Sequence, residues 1–125
     1  MAKEKIKRIA VFTSGGDAPG MNAAIRAVVR TAAYHDLHIF GIINGYEGMI
    51  DGNLRRLDIR DVGNIIYRGG TILKTARSKR FMTPEGRRHA YEALMAFDVD
   101  ACIAIGGNGT FTGAKIFSEE YSIPF

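Results

Sequence analysis

The sequence predicts an α/β fold, a doubly wound (Rossmann-like), mostly parallel sheet with flanking helices. Three observations carry this. Short apolar runs at residues 6–12, 37–43 and 100–105 have the length and character of buried strands. Segments with helical spacing lie between them, which is the βαβ rhythm of a parallel sheet. The first and last runs each enter a glycine-rich turn that opens a helix candidate: Thr13-Ser14-Gly15-Gly16-Asp17-Ala18-Pro19-Gly20-Met21-Asn22 and Gly106-Gly107-Asn108-Gly109-Thr110.

The first strand candidate carries Ile9-Ala10-Val11-Phe12, apolar enough for burial on both faces. In the turn behind it, Gly15 and Gly16 permit positive φ and let backbone N–H groups approach an anion. The helix that follows adds its N-terminal dipole and unpaired donors, which favour a negative ligand. This helix is expected over about residues 20–34, because Met21, Ala24, Ile25, Val28, Val29 and Ala32 share one face. Arg26 and Arg30 then point away from the core.

Residues 37–43 are the next strand. Asn44-Gly45-Tyr46-Glu47-Gly48 reads as a loop on its glycines, followed by a short charged stretch at 53–57 with strand character. Residues 58–67 are expected to be helical, with Asp58 as N-cap. Residues 68–83 hold Gly69-Gly70 and five basic residues with little apolar periodicity, and read as a long functional loop or an irregular turn.

Thr83 caps the next helix with Pro84 at its first position, and Ala90, Leu94 and Phe97 mark its apolar side. Residues 100–105 then form a strand, 110–121 a helix, and 122–125 the start of a further strand. With no repeat, low-complexity tract or linker, residues 1–125 read as one portion of one domain.

A chain of 125 residues, 46% hydrophobic and 24% charged, can bury a core and does not have a disordered composition. Its charged start is followed by an apolar run of only about four residues, too short for a signal sequence or membrane span. A cytoplasmic protein without a membrane partner is expected. The single cysteine, Cys102, excludes an internal disulfide and is expected to be a small buried hydrophobe.

A net charge of +4 calls for an anionic partner. The basic residues are dispersed, and no helix-turn-helix, zinc-ligand or aromatic RNA-binding signature accompanies them. Phosphorylated small molecules are therefore favoured over nucleic acid. His35, His38 and His89 are scattered and suggest neither a triad nor a metal cluster. Gly107, Gly109 and Gly113 form a G-x-G-x-x-x-G pattern, one residue longer than the dinucleotide fingerprint, which argues against a dehydrogenase.

The two glycine turns, Arg68-Gly69-Gly70-Thr71 and Ala76-Arg77, in this order and spacing, resemble the N-terminal part of bacterial-type ATP-dependent 6-phosphofructokinases. The resemblance covers essentially the whole chain. Family chains are longer, and this one stops at Ser122-Ile123-Pro124-Phe125, short of the family's Pro-Gly-Thr-Ile-Asp-Asn-Asp catalytic segment. The expectation is an incomplete, truncated domain with exposed apolar faces, marginal stability and no activity of its own.

The resemblance implies phosphoryl transfer from MgATP to the 1-hydroxyl of fructose 6-phosphate in glycolysis, with Mg2+ as cofactor, ADP as product and a homotetramer for full-length members. Such a reaction asks the protein to hold phosphates in line and stabilise their charge. By resemblance, the Gly16 N–H contacts the transferring phosphoryl and Arg77 bridges ATP phosphate oxygens, which makes these two the catalytic pair. Tyr46, Ser78, Gly107, Asn108, Gly109 and Thr110 complete the nucleotide site. Gly109 matches ATP-using members, where pyrophosphate-using relatives carry aspartate.

Asn108 stands where the family has the aspartate that holds magnesium. The amide keeps an oxygen but loses the charge, so weaker magnesium binding and slower turnover are expected. The resemblance also implies an effector site for ADP or phosphoenolpyruvate, with Arg26 and Arg30 matching two of its arginines. A third falls on Ile59, with Arg60 beside it, so that contact is lost or shifted. Two other readings stand beside this one. A non-catalytic nucleotide-binding or regulatory module is suggested by Asn108 and the early stop. An NAD-kinase-like or lipid-kinase-like enzyme shares a loop similar to residues 106–110, but the motif at 13–22 argues against it.

Overall fold

The computed structural model describes residues 6–15 and 20–125. In chain order the elements are β1 (Arg8–Thr13), α1 (Met21–Tyr34), β2 (His38–Ile42), α2 (Gly45–Asp51), β3 (Leu54–Leu57), α3 (Pro84–Ala96), β4 (Ala101–Ile105) and α4 (Asn108–Tyr121). Short 3-10 turns lie at Ile59–Val62, Ile65–Tyr67 and Arg80–Met82.

β1 is central because its side chains are apolar on both faces, and Ala10, Val11 and Phe12 are fully buried. It pairs in parallel with β2 on one side and β4 on the other, and β3 adds antiparallel to β2, giving the order β3-β2-β1-β4. Alternation along the strands builds two cores. Ala10, Phe12, Phe40 and Ile42 face α2, α3 and α4 residues such as Met49, Leu94 and Phe117. Val11, Ile39 and Leu57 face the other way, onto Ile25 and Val29 of α1 and the 3-10 residues Val62 and Ile65. Helices on both faces make this the doubly wound, parallel-dominated arrangement expected of the sequence.

The predicted apolar face of α1 is buried at Met21, Ile25, Val29 and Ala32 and half-buried at Ala24 and Val28. α3 starts as its sequence demands, with Pro84 in its first turn and the Thr83 hydroxyl accepting from the Gly86 N–H at 3.0 Å. Cys102 is buried, as expected, and burial pushes its thiol up to about 12.

Four sequence expectations are corrected. Residues 45–51 are the helix α2, not a loop. Asn44 and Gly45 adopt positive φ (67° and 58°) to enter it, and Gly48 lets the helix sit against the Ile43 carbonyl, where a Cβ would lie 1.5 Å from that oxygen. Residues 58–67 are 3-10 turns, not an α-helix. Asp58 does cap the first of them, in a reciprocal box with Asp61, and threefold spacing buries Val62 and Ile65.

The last helix begins two residues before the expected start, at Asn108, after Gly107 in an extended conformation. Residues 122–125 form no strand: Ser122 turns the chain at φ 58°, Ile123 is buried, and one bond from the Cys102 N–H to the Pro124 carbonyl joins the segment to β4. Phe111 and Phe125 are exposed beside β4.

Candidate functional site

The register Thr13↔Ile105 puts the carboxyl ends of β1 and β4 side by side, and the Ser14 N–H donates to the Ile105 carbonyl at 2.9 Å. Both glycine turns therefore leave the sheet at one place. They touch: a Cβ on Gly106 would stand 2.7 Å from the Ser14 carbonyl and 2.5 Å from the Thr110 hydroxyl. A cavity of about 620 Å3 opens there. This is the position at which open α/β sheets hold ligands.

Ser14 and Gly15, the latter at φ 88°, form one wall. Gly107, Gly109, Thr110 and Gly113 form the second, where the first turn of α4 presents main-chain donors that no helical carbonyl satisfies. The segment from Thr75 to Met82 forms the third, with Arg77 and Ser78 at its rim. Among the described lining residues there is no carboxylate.

Tyr46 closes the floor. Its ring stacks on Phe81 at 3.9 Å and 17°, and its hydroxyl donates to the Thr110 carbonyl at 2.6 Å. Burial pushes that hydroxyl well above the usual tyrosine range, so it stays a donor. Gly113 lies under the ring, where a Cβ would come within 3.2 Å of it. Tyr46 therefore presents ring surface to the cavity while its polar atom is committed inside the protein.

Ser78 is likewise engaged: its hydroxyl donates to Glu47 Oε1 at 2.7 Å and accepts from the Phe81 N–H at 3.2 Å. Glu47 Oε2 accepts from Arg80 Nε and Nη2 at 3.0 and 2.7 Å, and Arg80 Nη2 reaches Asp51 at 2.9 Å. These bonds, Arg80 first and Ser78 next, hold the Glu47 carboxyl below its usual range. Arg77 is exposed at the rim and makes no ion pair among the described residues.

The 68–74 stretch is fastened to the same region. Asn22, buried on α1, accepts from the Ile72 N–H at 2.8 Å and donates to the Arg68 carbonyl at 3.4 Å, while the Thr13 hydroxyl donates to the Lys74 carbonyl at 3.0 Å.

The sequence-predicted site residues are thus mostly brought together. Tyr46, Arg77, Ser78, Gly107, Gly109 and Thr110 line one cavity. Asn108 is exposed at its edge as the first residue of α4, outside the lining. Among the described residues no group of three or more His, Cys, Asp or Glu could hold a metal ion. Gly16, with Asp17, Ala18 and Pro19, lies outside the described residues.

The expected effector residues sit elsewhere. Arg30 is exposed on α1, whereas Arg26 is half-buried, with Nε shielded and unpartnered among the described residues. Arg26 therefore does not simply point into solvent. Ile59 and Arg60 are exposed by a separate cavity of about 550 Å3 at the opposite end of the sheet, together with His38 and Arg56. Sequence reading missed Glu47 and Phe81. Their partners are 31 to 35 residues away in the chain, and no local pattern marks them.

A family model described as Phosphofructokinase matches residues 8–125. The chain is 61% identical over 119 residues to the ATP-dependent 6-phosphofructokinase of Cytophaga hutchinsonii, covering 95% of this chain and 36% of that protein. It is 59% identical over 119 residues to ATP-dependent 6-phosphofructokinase 1 of Thermus thermophilus, covering 95% of this chain and 37% of that one.

Among solved structures, Pichia pastoris phosphofructokinase in the T-state superposes with a TM-score of 0.90 at 40% identity, over 99% of this chain and 14% of that chain. A pyrophosphate-dependent phosphofructokinase from Marinobacter aquaeolei gives 0.80 at 21% identity, over 96% of this chain and 32% of that one, which speaks to the fold alone. The chain spans just over a third of the curated relatives it matches, 36% and 37% of their lengths.

Proposed function

The chain belongs to the phosphofructokinase family, and on that premise we propose that residues 1–125 are the nucleotide-binding portion of an ATP-dependent 6-phosphofructokinase, a glycolytic phosphotransferase that phosphorylates the 1-hydroxyl of fructose 6-phosphate. One observation supports this most. Two glycine turns from adjacent parallel strand ends and the Arg77 segment converge on one cavity whose described lining offers N–H donors and a cation but no carboxylate. Such a site suits a polyphosphate.

In this reading Arg77 bridges phosphate oxygens, Gly16 contributes a backbone N–H to the transferring phosphoryl, and these two are the catalytic contacts. The first turn of α4, residues 107–110, cradles the nucleotide, Tyr46 presents its ring, and Ser78 shapes the rim. Gly109 lines the cavity and a Cβ there would meet nothing within 4 Å, which leaves room beside it for a group larger than phosphates alone. That favours a nucleotide over the smaller pyrophosphate as donor. Bound magnesium supplies charge neutralisation on the phosphates. Asn108 offers only a neutral oxygen, and the site fits a metal that arrives on the nucleotide better than one the protein holds itself.

A homotetrameric, cytoplasmic enzyme with effector contacts at Arg26, Arg30, Ile59 and Arg60 belongs to the same reading. No described helix is long and apolar enough to cross a membrane. A second reading, a non-catalytic nucleotide-binding module, is favoured by the neutral Asn108.

Titration calorimetry of this chain with MgATP, magnesium-free ATP and ADP tests the proposal, with Arg77→Ala as control. Magnesium-dependent ATP binding that Arg77→Ala abolishes is the expected result. A folded sample that binds none of the three overturns the nucleotide assignment.

A further inference from the structure

We propose that Glu47 is a positioning residue for the nucleotide site, clamping the 75–82 segment to α2 so that Arg77 is held at the cavity rim. Its role rests on the nucleotide assignment above. The segment it holds is irregular, apart from the single 3-10 turn Arg80–Met82. Such backbone keeps one conformation only where something fixes it.

At its start the Thr13 hydroxyl fixes the Lys74 carbonyl, and at its end Phe81 is stacked under Tyr46. Near its end the Thr83 hydroxyl donates to the Arg80 carbonyl at 2.7 Å and Arg87 of α3 to the Phe81 carbonyl at 2.9 Å. The bonds made by the segment's own side chains to the rest of the fold, among the described residues, run from Ser78 and Arg80 to Glu47 and Asp51 on α2. Both carboxylate oxygens of Glu47 are used, Oε1 by Ser78 and Oε2 by Arg80.

α2 supplies the geometry. Glu47 and Asp51 are four positions apart and share a helix face, where two like charges repel. Arg80 Nη2 lies between them, at 2.7 Å from one and 2.9 Å from the other, and turns that repulsion into a grip on the loop. An isolated surface ion pair would contribute little; a carboxylate that also accepts from Ser78 in a shared network is the case in which geometry counts. The neighbouring residue, Tyr46, ties the same helix to the first turn of α4 through Thr110. One short helix therefore fixes two walls of the cavity, and Glu47 is its hold on the wall that carries Arg77.

The test pairs hydrogen–deuterium exchange of residues 81–83, whose N–H groups donate to Ser78, Lys79 and Arg80, with MgATP titration, in the wild-type chain, Glu47→Gln and the charge swap Glu47→Arg with Arg80→Glu. Arg88→Ala, which removes a pair with Glu92 within α3, is the control for loss of a surface ion pair. Amides of β1 report in every variant that the sheet is intact.

Glu47→Gln is expected to speed exchange at 81–83. If the loop is then in place about a tenth of the time, MgATP affinity falls about tenfold. Adenosine, which lacks phosphates, is expected to bind as it does to wild type, and the charge swap to restore most of the protection. Unchanged exchange in Glu47→Gln overturns the proposal, and so does faster exchange with MgATP affinity unaltered. A folded, protected wild-type chain that binds no MgATP sinks the nucleotide assignment instead, and exchange still decides whether Glu47 holds the loop.

Discussion

The Tyr46 hydroxyl donates to the main-chain carbonyl of Thr110 at 2.6 Å, which joins α2 to the first turn of α4 across the floor of the cavity. The bond spans 64 residues of chain and is fully buried. Tyr46→Phe deletes it while keeping the ring stacked on Phe81. We predict a loss of about 1 kcal/mol of unfolding free energy, the usual net worth of one buried hydrogen bond, read by urea denaturation. A variant as stable as wild type would mean that Thr110 finds another donor.

Two glycines, one packed against Ile43 and one in the cavity wall, make opposite predictions. A Cβ on Gly48 would lie 1.5 Å from the Ile43 carbonyl oxygen, a clash with backbone that a side-chain rotation cannot relieve. Gly48→Ala is predicted to cost about 3 kcal/mol, at the upper end for overpacking. Gly109 has open space around it and sits in the first turn of α4. Gly109→Ala is predicted to leave stability unchanged or raise it by about 0.5 kcal/mol, through helix propensity and a stiffer unfolded chain, while lowering MgATP affinity. Denaturation and titration of the two variants check both halves.

The contrast shows what the sequence could and could not reveal. β1, α1, β2, α3 and β4 were legible because burial imposes periods of two or 3.6 on their side chains, and Thr83-Pro84 announces a helix start by its chemistry. α2 was not, because Gly45 and Gly48 carry the same letters as a loop, although one serves helix entry and the other close packing against Ile43. The 3-10 turns at 59–67 were mistaken for an α-helix because a correct cap at Asp58 says that a turn begins, not how tightly it winds. At the site, the glycine turns were visible as local patterns. Glu47, Arg80 and Asp51 were not, because their relationship exists only once β2, α2 and the 75–82 segment are folded together.

Acid should weaken the Glu47 clamp. Hydrogen bonds from Arg80 and Ser78 lower the folded-state pKa of Glu47 from its ordinary value of 4.5. A carboxylate depressed in this way contributes stability that is fully present above 4.5 and is lost as pH falls through the lower, folded-state value. Glu47→Gln lacks the titration. We predict that the difference in unfolding free energy between wild type and Glu47→Gln narrows as pH drops below 4.5, and that high salt narrows it at neutral pH, because the pair is partly exposed. A difference that stays constant with pH would dissociate Glu47 from the network.

Cys102 offers an internal probe of folding. It is 1% exposed in β4, and with its thiol raised to about 12 the reactive thiolate is scarce at neutral pH. Ellman's reagent is predicted to leave the folded chain unmodified and to label one thiol per chain on unfolding, at a rate that follows opening of β4. Rapid labelling under native conditions would show that β4 opens easily at its outer edge.

Asn108→Asp separates the charge of the metal from that of the nucleotide. An acidic residue in the first turn of α4 interacts favourably with the helix dipole, worth about 0.5 kcal/mol at an exposed position, so the variant is predicted to be at least as stable as wild type. With magnesium present, the carboxylate supplies the charged oxygen that a hard cation prefers, and MgATP affinity should rise. Without magnesium the same charge faces the bare phosphates, and ATP affinity should fall. Calorimetric titrations with and without the metal check the crossing directions. Equal shifts in both would mean that Asn108 acts only on the helix end, and that any bound magnesium is held by the nucleotide without help from this position.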